Sequence, residues 1–253
     1  MNNRQNGIVE QVRKQGEAKV EQLADAHGVS VETIRRDLNT LAKHNLLYRT
    51  HGGAISLQTH DIGQSFSSRL KLNAQAKHVI ARRAQDYLIE SSVIGMDASS
   101  TCLHVARQMS DLTCTLVTNS LDILQNVAVK ENVSVIATGG SLSKKYSAFH
   151  GLIAEQALSR LSLDVVLLSC CGVDEHGAVW ESNELNASIK RRMLSSAAQV
   201  ALLADASKLN KKGLIKVCDA EEIDIFISDS PVDSQLRQRL KTNQVLIIDG
   251  HVS

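Results

Sequence analysis

The chain has 253 residues, is 43% hydrophobic, and balances 28 Lys and Arg against 27 Asp and Glu for a formal net charge of +1. That length predicts a small domain beside one sizeable core, and the neutral balance excludes a globally basic coat, so any nucleic-acid affinity must come from a local, salt-sensitive patch. Five cysteines (Cys102, Cys114, Cys170, Cys171, Cys218), an odd number without a CxxC pair, read as reduced and mostly buried thiols, not as a disulfide framework or zinc site, and no cofactor is expected. The amino end, residues 1–6, is polar, and no apolar run approaches the ~20 residues needed to cross a bilayer, which predicts a soluble cytoplasmic protein without membrane contacts.

In chain order, Ile8 and Val12 mark a first helix, and Val20, Leu23 and Ala24 a second. Gly28 can adopt the left-handed backbone that ends that helix, and Ser30 can cap the next. Two helices must then meet at an angle. In the third helix Ile34, Leu38 and Leu41 form one stripe, with Val31 at its edge, and that face packs inward. The opposite face carries Glu32, Thr33, Arg36, Asn39, Thr40 and Lys43, with Arg35 on its flank. Arg can fork onto guanine edges, and Asn, Thr and Lys can reach bases or phosphates. After Lys43, the alternation of Leu46 and Tyr48 with Leu47 and Arg49 reads as a strand, and His51-Gly52-Gly53 as a tight turn, so that Arg49 and His51 would touch the phosphate backbone or minor groove. Any one of these polar residues alone is as well explained by solvation; together the spacing and the glycine-tipped hairpin define a winged helix-turn-helix spanning 1–57, whose partner is double-stranded DNA.

Residues 58–75 lose periodicity and read as a linker with Phe66 and Leu70 as anchors, docking on a second domain spanning 76–253. There, helical patterns alternate with apolar runs beginning at Val93, Thr115, Ser134, Val165, Val200, Ile225 and Val245. Continuous Val, Ile and Leu runs separated by helices predict an α/β fold: an open, mostly parallel sheet covered on both faces. Ligands of such sheets bind beyond the carboxyl ends of the strands. Those ends carry Asp97, Ser99, Ser100 and Thr101 at a helix start, then Asn119 within Thr118-Asn119-Ser120, Gly139 and Gly140, then Ser169 through Gly172 and Asp174, and finally Asp205 and Lys208. Hydroxyls and open N–H groups at helix starts suit an anion, and the set predicts a small, phosphorylated, hydroxyl-rich ligand.

The segment Ser30-x-x-Thr33-Ile34-Arg35-Arg36-Asp37-Leu38-Asn39-x-Leu41 and the wing Arg49-x-His51-Gly52-Gly53-Ala54 closely resemble the DeoR family of bacterial sugar-operon regulators, and the resemblance continues over nearly the whole chain. Within the family, residues 97–102, 106–108, 118–120 and 178–183 look most like the regulators of L-fucose operons. The resemblance implies an oligomeric (dimeric or tetrameric) DNA-binding regulator of sugar catabolism whose carboxyl-terminal domain senses a sugar phosphate, such as the deoxy-sugar phosphate L-fuculose 1-phosphate. It implies DNA contacts at Thr33, Arg35, Arg36, Arg49 and His51, to which the helix face adds Ser30, Asn39 and Lys43. It implies an effector pocket of Asp97 to Thr101, Asn119, Gly139, Gly140, Gly172, Asp174, Lys190, Asp205 and Lys208.

The second domain is also similar to ribose-5-phosphate isomerase, through Gly172-Val-Asp-Glu175, Ala204-Asp-Ala-Ser-Lys208 and Ser99-Ser-Thr101. An isomerase with an accessory amino-terminal domain is therefore the rival reading, and a sugar-phosphate binding protein without DNA a third. Yet the position of that enzyme's catalytic glutamate holds Lys190, its first Asp is Cys171, and its lysine-triglycine loop is missing from 180–186. A lysine is a poor base at neutral pH. The expectation is a pocket that binds without catalysing, with Lys190 facing the effector, Asp174 or Glu184.

Overall fold

The computed structural model describes residues 3–15, 17–43, 46–50, 52–55, 61, 63–110 and 112–250, with the backbone alone at 13, 14, 17, 43, 48, 50 and 55. It divides into two compact units, 1–62 and 63–253.

The first unit comprises α1 (Asn3–Gln15), β1 (Glu17–Lys19), α2 (Val20–His27), α3 (Val31–Lys43), β2 (Tyr48–Thr50) and β3 (Gly53–Ile55). Gly28 closes α2 at φ 62° and ψ 36°, its N–H donating to the Ala24 and Asp25 carbonyls. Two residues later, Ser30 Oγ accepts the Thr33 N–H at 3.2 Å and opens α3. The stripe Ile34, Leu38 and Leu41 is fully buried against Ile8, Val12, Val20, Leu23 and Leu47, which fixes the angle between α2 and α3. The wing has three strands in the order β1-β3-β2, all antiparallel. Its extra strand, β1, pairs Ala18 with Ala54, and Gly53 makes the approach possible: a Cβ there would lie 2.1 Å from the Ala18 carbonyl oxygen.

The second unit runs α4 (Phe66–Lys71), α5 (Ala74–Ala84), β4 (Val93–Met96), α6 (Ser100–Gln108), β5 (Cys114–Thr118), α7 (Leu121–Val127), β6 (Val133–Ala137), β7 (Ser141–Ser143), β8 (Ala148–His150), α8 (Leu152–Leu158), β9 (Leu163–Ser169), β10 (Gly172–Val173), β11 (Val179–Glu181), α9 (Glu184–Ser195), β12 (Ala197–Leu203), β13 (Ile215–Cys218), β14 (Ile225–Ile227), α10 (Ser234–Thr242) and β15 (Leu246–Ile248). The seven apolar runs all become strands of one sheet, ordered β15-β14-β12-β9-β4-β5-β6. Every pairing in it is parallel. Successive residues feed opposite cores, as the pleat requires: Val165 and Leu167 of β9 pack with Ile80, Ile94 and Leu103, whereas Val166 and Leu168 pack with Leu158, Ile189 and Met193. Helices on both faces explain why these strands are apolar without alternation.

From β4 the chain steps outward through β5 and β6, then crosses back to β9 and steps outward the other way. The strand order therefore reverses between β4 and β9, and that reversal opens a crevice beyond their carboxyl ends. Two smaller pieces, the antiparallel sheet β10-β11-β13 and the hairpin β7-β8, lie outside the main sheet. The first helix of this unit falls within the 58–75 stretch read from sequence as a linker, and its Phe66 is buried in the core with Ile80 and Leu103.

Candidate functional site

On the first unit, α3 turns one face out. Its side chains Arg35 and Arg36 are 51% and 80% exposed, their only neighbours of opposite charge among the described residues being Glu32 at 3.8 and 3.9 Å. Asn39 and Thr40 are exposed on the same face, Thr33 is half-buried, and the Lys43 side chain and His51 lie outside the described residues. Arg49 of β2 donates to Asn39 Oδ1 at 2.7 Å, so wing and helix present one continuous surface. The helix is also held from behind. Asp37, 6% exposed, accepts from Arg4 Nε at 2.6 Å and Gln5 Nε2 at 3.0 Å, both on α1. Burial alone would push the Asp37 carboxyl up, but these donors outweigh it and hold it below its ordinary value. Nothing in the local sequence marks this clamp, because its partners are 32 and 33 residues apart.

On the second unit, the reversal point brings most of the sequence-predicted rim together. Asp97 follows β4 and is fully buried, accepting the Ser99 N–H at 3.2 Å and the Ser169 N–H at 3.4 Å. Ser99 caps α6 through the Cys102 N–H at 3.0 Å. Lys208 donates to Ser169 Oγ at 2.6 Å and lies 3.9 Å from Asp205, which accepts from Asn73 Nδ2 at 3.1 Å. Asn119, at the end of β5, bonds the Phe149 carbonyl through Nδ2 at 3.0 Å, while its buried Oδ1 has no hydrogen-bond partner among the described residues. Gly139 and Gly140 follow β6 at φ 65° and 105°, and a Cβ on Gly140 would meet the His150 carbonyl oxygen at 2.6 Å.

Three positions differ from expectation. Lys190 is a buried member of α9 that pairs with Asp97 and, at 3.2 Å, with Glu181; Glu184 instead holds Arg191 at 2.8 Å. Burial disfavours the charge on Lys190, yet the two carboxylates dominate and raise its affinity for a proton, while Asp97 is held below its ordinary range. Asp174 spends its oxygens on Trp180 Nε1 (3.0 Å) and the N–H groups of His176 and Ala178 (3.0 Å each), closing its own turn. Gly172 sits in β10 where a Cβ would lie 2.4 Å from the Lys211 carbonyl oxygen, so chain packing accounts for it.

Sequence reading passed over Glu181, Asn73 and Lys77. Lys77 is 3% exposed and donates to the Leu72 carbonyl at 2.6 Å and to the Arg69 carbonyl. Burial, with the charge of Lys208 behind it, pushes it down to about 8. The thiols are free, and burial raises Cys170 and Cys171 to about 12, which leaves them unreactive. No group of three or more His, Cys, Asp or Glu arranged to hold a metal occurs among the described residues, and no helix there is long and apolar enough to cross a membrane.

A helix-turn-helix with an exposed cationic face, joined to a parallel-sheet domain with a polar crevice, defines a two-domain DNA-binding regulator. Residues 4–60 match the model of the DeoR-like helix-turn-helix domain, and residues 72–230 that of the DeoR C terminal sensor domain. The chain is 45% identical to the L-fucose operon activator of Haemophilus influenzae, over 98% of its own length and 100% of that protein's. It is 39% identical to the L-fucose operon activator of Escherichia coli (89% and 94%) and 32% to the transcriptional repressor GlcR of Bacillus subtilis (88% and 86%). This chain belongs to the DeoR family of transcriptional regulators. Among solved structures it is similar to ribose 5-phosphate isomerase A from Methanocaldococcus jannaschii, at 17% identity and a TM-score of 0.41, covering 54% of this chain and 55% of that one.

Proposed function

We propose that this protein controls a sugar-catabolism operon, reading operator DNA through α3 and the wing and answering to a phosphorylated sugar held at the β4/β9 crevice. The carrying observation is the division of α3 into one wholly buried stripe, Ile34, Leu38 and Leu41, and one exposed face bearing Arg35, Arg36 and Asn39 with Arg49 beside it. Ser30 and Thr33 open that helix, and Lys43 and His51 extend the same reading in sequence. For the ligand, Ser99 to Thr101 at the start of α6, Asn119, Gly139, Gly140, Asp205 and Lys208 supply N–H groups, hydroxyls and a cation suited to a phosphate ester. Given relatives that carry the name L-fucose operon activator, a deoxy-sugar phosphate such as L-fuculose 1-phosphate is the first candidate. A dimer or tetramer would set two readers on operator half-sites.

Lys190 favours sensing over isomerisation. It is a protonated counter-ion to Asp97 and Glu181, and neither carboxylate is left as a base to move a proton between carbons. The test has two arms. Arg36→Ala should weaken specific operator binding by about 1–3 kcal/mol in a gel-shift titration while leaving the sugar-phosphate thermal shift intact; unchanged operator affinity overturns the assigned face. Turnover of ribose 5-phosphate by the wild type would favour the enzyme.

A further inference from the structure

Arg69, on α4 in the stretch that sequence reads as linker, is anchored to the crevice from two sides. Its carbonyl oxygen accepts Ser100 Oγ, from the first turn of α6, at 3.4 Å, and also Lys77 Nζ. Its guanidinium lies 5.6 Å from the Phe66 ring and 5.4 Å from that of Tyr146, at the tip of the β7-β8 hairpin. The same hairpin hydrogen-bonds Asn119, through the Asn119 carbonyl (Phe149 N–H, 2.8 Å) and side chain. Phe66 donates its N–H to the Lys145 carbonyl at 2.8 Å, so α4 and the hairpin tip close on each other.

Within that closure the Nε and Nη2 of Arg69 are buried and have no hydrogen-bond partner among the described residues. A guanidinium cannot shed its proton, and buried donors are rarely left unpaired in a folded protein. Cations gather on this side of the crevice: Lys77 donates to the Arg69 carbonyl and feels the charges of both Arg69 and Lys208, and Lys208 lies 3.9 Å from Asp205. The Phe66 and Tyr146 rings meet the charge of the planar fork but accept no conventional hydrogen bond from its N–H groups.

We propose that Arg69 is a ligand of the effector's anionic group, its unpaired N–H fork closing on a phosphate seated at the start of α6. This rests on the reading of the crevice as the effector site. It makes α4, the first helix after the DNA-reading unit, part of the binding site, so that ligand occupancy is felt where the second unit begins. The fork geometry matters as much as the charge.

The experiment titrates L-fuculose 1-phosphate and inorganic phosphate, with L-fuculose as the phosphate-free control, against the full chain and its R69M and R69K variants by thermal shift and calorimetry. R69M is expected to raise the apparent Kd for both phosphate probes by about tenfold or more, with R69K between it and the wild type, and to leave the midpoint of the unliganded protein unlowered. Independently of any variant, phenylglyoxal labelling of the wild type mapped by peptide mass should modify Arg69 and be suppressed by either phosphate probe. A wild type that binds the probes while R69M binds within twofold of it, or labelling of Arg69 indifferent to ligand, overturns the assignment of Arg69 alone. A wild type that responds to neither phosphate probe overturns the crevice reading and this proposal with it.

Discussion

At the reversal point of the sheet, Asp97 is ionised because Lys190 makes it so. Removing that partner leaves two buried carboxylates, Asp97 and Glu181, facing each other without a counter-charge. Lys190→Met should therefore cost about 3–5 kcal/mol of stability at neutral pH, measured by urea unfolding. The pH response should also change sign. In the wild type the Asp97 carboxyl is held below its ordinary 3.8, so its stabilisation is complete above that value and is lost as pH falls through the lower, folded one. In Lys190→Met the bonds from Ser99 and Ser169 remain, but burial, the largest influence on this carboxyl, is expected to outweigh them and lift it above 3.8, so the variant gains stability as pH falls from 7 toward 4 while the wild type does not. Lys77 carries a second pH signature. Its folded value of about 8, against an ordinary 10.5, means that the unfolded chain holds the extra proton between the two, and stability rises with pH across that window. An anion bound nearby would raise the folded value, so phosphate binding near pH 8.5 should take up protons. Calorimetry in buffers of different ionisation heat reads this directly, and a buffer-independent heat would refute it.

At the scale of elements, the wing depends on a three-residue strand. Gly53→Ala would drive a methyl group into the Ala18 carbonyl, separate β3 from β1 and cost about 1–3 kcal/mol, with a matching loss of operator binding. Gly52→Ala is the control, since a Cβ there meets nothing within 4 Å, and it should leave both quantities unchanged. The contrast shows what a sequence conveys about such elements. Gly28 and Ser30 announce the turn and the cap because each acts on neighbours within four residues. The seven sheet strands are legible because burial on both faces demands unbroken apolar runs. By comparison, Glu17-Ala18-Lys19 has neither alternation nor apolar weight; it is a strand only because 53–55 lies alongside it. The same holds for Gly172–Val173, Val179–Glu181 and the 141–150 hairpin, all too short to show a period. The crevice follows this division: the residues just past the strands could be found from the strands, but Glu181, Asn73 and Lys77 reach it through folding of distant segments.

Across the whole molecule, each unit has a hydrophobic core of its own, one around Leu23, Ile34 and Leu38, the other on the two faces of the sheet. Two thermal transitions are the expected consequence. A sugar phosphate at one hundred times its Kd should raise the sensor transition by about 2.7 kcal/mol, and operator DNA the reader transition. A calorimetric scan that shows both ligands moving one common transition would contradict separate cores. With a net charge of only +1, DNA affinity rests on the few cations of the reader. Replacing Arg49 by Ala should flatten the dependence of log affinity on log salt by about 0.9 if it contacts one phosphate.

The ion-paired floor of the crevice has a further effect. If the crevice holds the effector, the locked trio Asp97, Lys190 and Glu181 leaves it no free carboxylate there, and discrimination among sugars is expected to fall to the segments around the trio, the 141–150 hairpin, the 66–71 helix and the loop after β12. The hairpin adds no strand to the main sheet, whereas the 66–71 helix gives Phe66 to its core. A change of diet could then be answered by altering the hairpin while the parallel sheet keeps its strand order, and exchanging 141–150 between two relatives should transfer inducer preference.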